Sequence, residues 1–288
     1  MNISGKTKVC GLIGDPAEHS LSPVIQNTAF RHLDLDYVYV VFTVGRGSLE
    51  DAILGVRGLG IRGLNVTMPH KIDIIKYLDE LDETARSISS VNTVLNKDER
   101  LIGYTTDGIG ALNALRHKQV NPSCKIVMLG AGGASRSISF TLAKQASELV
   151  ILNRTLEKAK KLANDLSSLL GECGKVRAAG LSPSVLKKEL KDAHVLVNAT
   201  SVGMHPHNME TPVDPSLLRP DLVVFDLVYE PLETRLLSDA RRLGAKAIDG
   251  LSMLVHQGAA SFEIWTGMKA PIEVMMKAAI GELERRKP

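Results

Sequence analysis

Short apolar runs alternate with stretches of helical periodicity along the whole chain. In the first hundred residues the runs V-C-G-L-I-G, Y-V-Y-V-V-F-T-V and G-L-N-V-T-M-P read as strands, and residues 23–33 and 49–59 read as helices between them. That alternation is an α/β domain by itself. Residues 91–95 and 101–104, separated by the polar N-K-D-E-R, read as a hairpin or as two strands flanking a turn. From about Asp107 the alternation restarts. Apolar runs at 126–129, 149–152, 176–179, 195–198, 222–226 and 245–248, with helical segments between most of them, predict a doubly wound sheet. Two last helical patterns, 252–265 and 272–286, follow the final strand and are expected to pack back on the first domain. The expected fold class is α/β with two domains: a discontinuous one, 1–106 and 251–288, and a continuous one, 107–250.

Within the second domain the stretch from I-V-M-L-G-A-G-G-A-S-R to L-V-I-L-N-R-T carries chemistry. Gly130, Gly132 and Gly133 lack a Cβ, so the backbone can turn tightly and approach a pyrophosphate at the start of the helix that follows. With Ala131 and Ala134 they form the turn of a βαβ unit that holds a dinucleotide, which makes 107–250 a Rossmann-type domain. Ser135 stands at the third position of G-x-G-x-x-G, where Gly is usual. At the end of the second strand an NAD-binding protein places an acid on the adenosine ribose. Here Asn153, Arg154 and Thr155 stand instead. A guanidinium pairs with a 2′-phosphate, and no carboxylate repels it, so the expected cofactor is NADP rather than NAD. Taken alone, a glycine-rich turn would equally cap a structural helix.

Composition narrows the class. The chain has 288 residues, 44% hydrophobic and 23% charged, as a soluble globular protein has. Lys and Arg number 35 against 32 for Asp and Glu. That excess is too small to argue for nucleic acid, although it suits an anionic cofactor and substrate. The N-terminus lacks the apolar core of a signal peptide and no segment reaches the length of a membrane span, so the expected compartment is the cytoplasm. Cys10, Cys124 and Cys173 are far apart and expected to be reduced and buried. The eight His residues show no metal spacing, and no metal is expected. The partner expected is a small-molecule substrate, with no nucleic acid and no membrane; a homodimer is left open.

Substrate groups are expected on the first domain, where polar clusters end the apolar runs. In H-S-L-S-P, Ser20 and Ser22 could donate to a small acid, or Ser22 could cap the helix that Pro23 begins. In N-V-T-M-P-H-K, Asn65 and Thr67 offer neutral hydrogen bonds and Lys71 can give or take a proton. The alternative for Lys71 is a solvated surface charge. Asp107 in T-T-D-G could orient Lys71 and help move a proton, or cap the following helix. Asn92 in V-N-T-V sits in an apolar strand pattern where an amide needs partners, whether a ligand or a turn. Tyr229 follows a sheet strand at its ligand-binding end, or is a half-buried aromatic. Gln257 could face the cleft or belong to a solvated helix face.

Together H-S-L-S-P, N-V-T-M-P-H-K, V-N-T, T-D-G, G-A-G-G-A, N-R-T, N-A-T-S-V-G-M, V-Y-E-P and D-G-x-x-M-L-V-x-Q occur in an order that resembles the shikimate dehydrogenase family over nearly the whole chain. The resemblance implies reversible NADPH-dependent reduction of 3-dehydroshikimate to shikimate, on the pathway to aromatic amino acids. By motif it implies substrate contacts from Ser20, Ser22, Asn65, Thr67, Asn92, Asp107, Tyr229 and Gln257, with Lys71 moving the proton beside Asp107. It implies NADP contacts from residues 130–134 and 153–158, Lys158 among them, helped by Leu227 and Gly250. Thr105 departs from the Asn common in G-Y-N-T-D-G, and Lys158 stands where some members have Arg. Competing readings are a quinate/shikimate dehydrogenase that accepts NAD, a non-catalytic nucleotide-binding sensor, and a folate-linked dehydrogenase.

Overall fold

The structure, a computed structural model, describes residues 3–171 and 175–286. The chain divides into two compact units, Met1–Thr106 with Val255–Pro288, and Asp107–Leu254.

The first unit runs β1 (Lys8–Gly14), α1 (Ser22–His32), β2 (Tyr37–Thr43), α2 (Leu49–Gly58), β3 (Gly63–Val66), β4 (Glu80–Leu81), α3 (Glu83–Ile88), β5 (Thr93–Lys97) and β6 (Arg100–Tyr104). These strands form one mixed sheet in the order β2-β1-β3-β5-β6-β4. Strand β1 pairs in parallel with β2 and β3, whereas β5 runs antiparallel to β3 and β6. The hairpin turn is tighter than its sequence suggests: only Asp98 and Glu99 turn, both with positive φ (51° and 66°), and the strands keep Lys97 and Arg100. The stretch between β3 and β5 had no expected structure. It holds a short 3-10 helix, Asp73–Tyr77, then β4 and α3, whose start is capped by the Asp82 carboxylate accepting from Thr84 N and Ala85 N.

The second unit begins with α4 (Asp107–His117) and alternates β7 (Lys125–Leu129), α5 (Gly133–Ala143), β8 (Glu148–Asn153), α6 (Leu156–Leu170), β9 (Val176–Gly180), α7 (Pro183–Leu190), β10 (Val195–Asn198), β11 (Val223–Asp226), α8 (Arg235–Arg242) and β12 (Lys246–Ile248). All six strands are parallel, in the order β12-β11-β10-β7-β8-β9. Such strands are covered on both faces, which is why they read as unbroken apolar runs: Ile126, Val127, Met128 and Leu129 are all fully buried. The order reverses between β7 and β10, where open sheets of this kind bind ligands.

Helix α9 (Gly250–Thr266) starts in the second unit and ends in the first, and α10 (Ile272–Arg285) packs on α1. In the first unit α9 is fixed by Trp265, whose Nε1 donates to Val94 O at 2.9 Å, and by Gln26 Nε2 donating to Gly258 O at 2.9 Å. No helix among the described residues is long and apolar enough to cross a membrane. Cys10 is buried, but Cys124 is only half-buried because it lies in the loop before β7; both are free thiols, and Cys173 lies outside the described residues.

Candidate active site

The first unit gathers a polar network in the middle of its sheet. The register of β3 on β5 sets Asn65 opposite Thr93. Asn65 is 5% exposed; its Oδ1 accepts from Tyr39 Oη at 2.8 Å and its Nδ2 donates to Ser261 Oγ at 2.9 Å. Asn92, next along, accepts at Oδ1 from Thr106 N at 2.7 Å and donates through Nδ2 to Thr106 Oγ1 at 3.0 Å and Gln257 Oε1 at 3.5 Å. Thr93 and Ser261 share a hydrogen bond of 2.8 Å between their hydroxyls. Burial holds the Tyr39 hydroxyl well above its usual pKa, and a hydrogen bond from Ser22 pulls against it. Ser20 Oγ donates to Ser22 Oγ and accepts from Ser22 N, each at 3.1 Å.

Five sequence-nominated residues, Ser20, Ser22, Asn65, Asn92 and Gln257, thus share one connected set of hydroxyls and amides. Tyr39, Thr93, Thr106 and Ser261 complete it, and no motif in the sequence marks them. The capping alternative for Ser22 is corrected: the residue before α1 is Leu21, and Ser22 is the first helical residue with its N–H held by Ser20. Thr67 and Lys71 lie on the turn after β3, half-buried. Thr67 N donates to Ile13 O at 3.0 Å and Lys71 O accepts from Val91 N at 2.8 Å, which ties that turn to β1 and to the approach to β5. The network is neutral and suits a ligand rich in hydroxyls, with Lys71 as a group able to move a proton.

In the second unit Asp107 opens α4 and is 7% exposed. The glycine turn leaves β7 at the sheet's reversal point. Gly130 has φ of +103°, and a Cβ there would stand 2.9 Å from Ala199 O, so only glycine fits. Its own carbonyl accepts from Ser135 Oγ at 2.7 Å, which gives a physical reason for serine at the third motif position. Gly132 and Gly133 are exposed at the start of α5, with no acid in its first turn. Arg154, Thr155 and Lys158 are exposed where β8 ends and α6 begins, and Asn153 Nδ2 donates to Thr155 O at 2.9 Å. The one acid in that first turn, Glu157, pairs with Lys160 at 3.2 Å. Exposed glycines at a helix N-terminus and exposed cations at the neighbouring strand end fit a dinucleotide with an extra phosphate. Leu227 and Gly250 meet at the far strands: a Cβ on residue 250 would stand 2.3 Å from Leu227 O. Tyr229 is half-buried just beyond β11. Among the described residues no group of three His, Cys, Asp or Glu side chains is placed to hold a metal ion.

The chain is similar to known proteins along its whole length. Residues 12–94 match the shikimate dehydrogenase substrate binding domain, residues 113–227 the shikimate / quinate 5-dehydrogenase family, and residues 250–280 the shikimate 5'-dehydrogenase C-terminal domain. The chain is 48% identical over 287 residues to the shikimate dehydrogenase (NADP(+)) of Methanopyrus kandleri, covering 98% of each protein. A crystal structure of a shikimate dehydrogenase in complex with NADP+ is 47% identical with a TM-score of 0.91, covering 98% of each chain. The shikimate 5-dehydrogenase of Listeria monocytogenes, solved with shikimate and NAD, is 39% identical with a TM-score of 0.91, covering 96% of this chain and 98% of that one. On this full-length similarity, the chain belongs to the shikimate dehydrogenase family.

Proposed function

We propose that this chain reversibly reduces 3-dehydroshikimate to shikimate with NADPH, in the route to aromatic amino acids. The observation that carries the reading is the presence, in a chain 48% identical throughout to an NADP(+) shikimate dehydrogenase, of a neutral hydroxyl and amide network and a glycine turn beside a strand end that exposes Arg154 and Lys158, its nearby acid Glu157 being paired with Lys160. Ser20, Ser22, Asn65, Thr67, Asn92, Tyr229 and Gln257 contact the substrate. The protein backbone at 130–134, the side chains of Asn153, Arg154, Thr155 and Lys158, and the contact pair Leu227 and Gly250 hold the cofactor. NADPH, when bound, supplies the hydride. Lys71 gives its proton to the carbonyl oxygen that becomes the alcohol and takes it back in the reverse direction, with Asp107 assisting. The network saturates the Asn65 donors internally, so Asn65 acts on the substrate through its position as much as by contact. The reaction needs no nucleic acid or membrane partner, and the cytoplasm is its setting.

The test is absorbance of the reduced nicotinamide with shikimate or quinate, each with NADP or NAD. Fast reduction confined to shikimate with NADP supports the reading. Comparable rates with quinate or NAD replace it with a broader dehydrogenase, and cofactor binding without turnover replaces it with a sensor.

A further inference from the structure

Asp226 ends β11 with no exposure to solvent, and no step of the reaction above uses it. Its carboxylate collects donors from three segments. Asn198 Nδ2 at 2.9 Å and Val228 N at 3.1 Å meet one oxygen, and Thr234 Oγ1 at 2.7 Å meets the other. Asn198 lies directly opposite in the β10–β11 register and extends the clamp, accepting from Thr200 N at 3.1 Å and Thr200 Oγ1 at 2.6 Å. Thr234 caps α8 by accepting from Leu237 N at 3.3 Å. One carboxylate therefore ties the loop after β10, the loop after β11 and the start of α8.

Among the described residues no cation offsets the charge. Strand β10 brings only Val, Leu and Asn side chains, and Lys246 on β12 donates to Lys118 O. Around α8, Asp239 pairs with Arg235 and Arg242, and Glu233 pairs with Arg241. A buried charge without a counter-ion is costly, and what it supplies in return is charge-assisted hydrogen bonds stronger than a neutral amide would make. The residues that this carboxylate aims are the chemically loaded ones. Leu227 N donates to Asn198 O at 3.0 Å, its carbonyl lies so near Gly250 that a Cβ there would stand 2.3 Å away, and the Val228 contact sets the direction in which the chain leaves toward Tyr229.

We propose that Asp226 is a positioning residue that sets residues 227–229 for cofactor and substrate, acting through its three hydrogen bonds and touching neither ligand itself. The proposal rests on the assignments of Leu227 and Tyr229 made above. Burial pushes the Asp226 carboxyl up to about 6, with the hydrogen bonds from Thr234, Val228 and Asn198 pulling the other way. A proton on the oxygen shared by Asn198 Nδ2 and Val228 N would oppose those donors; one on the other oxygen can be taken up by Thr234 Oγ1 once its hydroxyl turns, but every contact then loses the assistance of the charge. The clamp loosens as the acid protonates.

Asp226→Asn keeps the size and mimics the protonated acid at every pH. In the wild type, KM for NADPH and for 3-dehydroshikimate should rise as pH falls through about 6. In D226N both should be raised about fivefold near neutral pH and stay flat across that range, with kcat changed less. Amide hydrogen exchange at 227–229 should quicken in D226N without any ligand present. KM values within about twofold of wild type, together with unchanged exchange at 227–229, would overturn the proposal and leave Asp226 a structural acid. If D226N does not fold, Thr234→Val removes one of the three contacts and should show the same KM and exchange changes, with Thr234→Ser restoring wild-type values. Absence of turnover in the wild type would sink the proposed function instead, and the exchange comparison would still decide the positioning role.

Discussion

A lysine on a turn after a strand is ordinary until its surroundings are examined. Lys71 is half-buried, its carbonyl bound to Val91 N, beside a network that otherwise contains no charge. If it moves the proton, Lys71→Met should lower kcat about a hundredfold or more while leaving substrate affinity close to wild type; steady-state rates and a binding titration measure both. Normal turnover would remove Lys71 from the mechanism. Arg154 makes a sharper case for cofactor class, since an exposed guanidinium at the end of β8 has no fold to hold. Arg154→Asp should raise KM for NADPH by about tenfold or more and narrow the preference over NADH, read from paired kinetics. These residues were legible because a charged group interrupts an apolar pattern. Tyr39, Thr93, Thr106 and Ser261 were not legible, because a hydroxyl in a strand or on a helix face looks the same whether it joins a buried network or packs against a neighbour. Only the register of β3 on β5 and the return of α9 bring them together.

Elements of regular period and ordinary length were legible for the same reason that they are stable. Each parallel strand of the second unit appears within about one residue of its expected limits, most sharply in β7, β8, β10 and β11, where burial on both faces leaves polar residues only at the strand ends. The elements without a sequence signal are short: α3 has six residues and β4 two, less than the window in which a period can be seen, and the start of α3 is set by the Asp82 cap. The beginnings of β7, β8 and β9 also carry a charge cluster. Glu189 on α7 accepts from Arg177 Nη1 at 2.9 Å and pairs with Lys125 Nζ at 3.1 Å. The Arg177 guanidinium lowers the Glu189 carboxyl to about 2, against burial and with further help from Lys125. Its contribution is present above the ordinary carboxylate pKa of 4.5 and is lost as pH falls toward about 2. Glu189→Gln should therefore cost about 3 kcal/mol in denaturant unfolding at neutral pH and much less in acid. Asp226 has the opposite sign. Its pKa is raised from 3.8 to about 6, so its contribution is most favourable below 3.8 and is lost as pH climbs through about 6. The stability of D226N relative to wild type should move in the variant's favour by up to about 3 kcal/mol between acid and neutral pH. A flat difference would mean that the acid is not buried as described.

On the scale of the whole molecule, the chain leaves its first unit once, at Asp107, and returns once inside α9. The second unit is therefore one continuous stretch containing all six strands of its sheet and the core built from Val127, Val150, Leu196, Val224 and Leu237. No strand of that sheet is borrowed, and the stretch ends just past the first turn of α9, where Ser252 N donates to Asp249 Oδ1 at 2.8 Å. A stretch with its own sheet and core has what folding alone requires. Residues 107–254 expressed by themselves should unfold in a single cooperative transition and bind NADPH, followed by its fluorescence, within about tenfold of the full chain. They should show no turnover, because Lys71 and the hydroxyl and amide network belong to the other unit. A folded fragment that fails to bind would move the cofactor contacts away from the glycine turn and the basic strand end. A fragment that does not fold would show that the second unit depends on the first for its stability, although its sheet is complete.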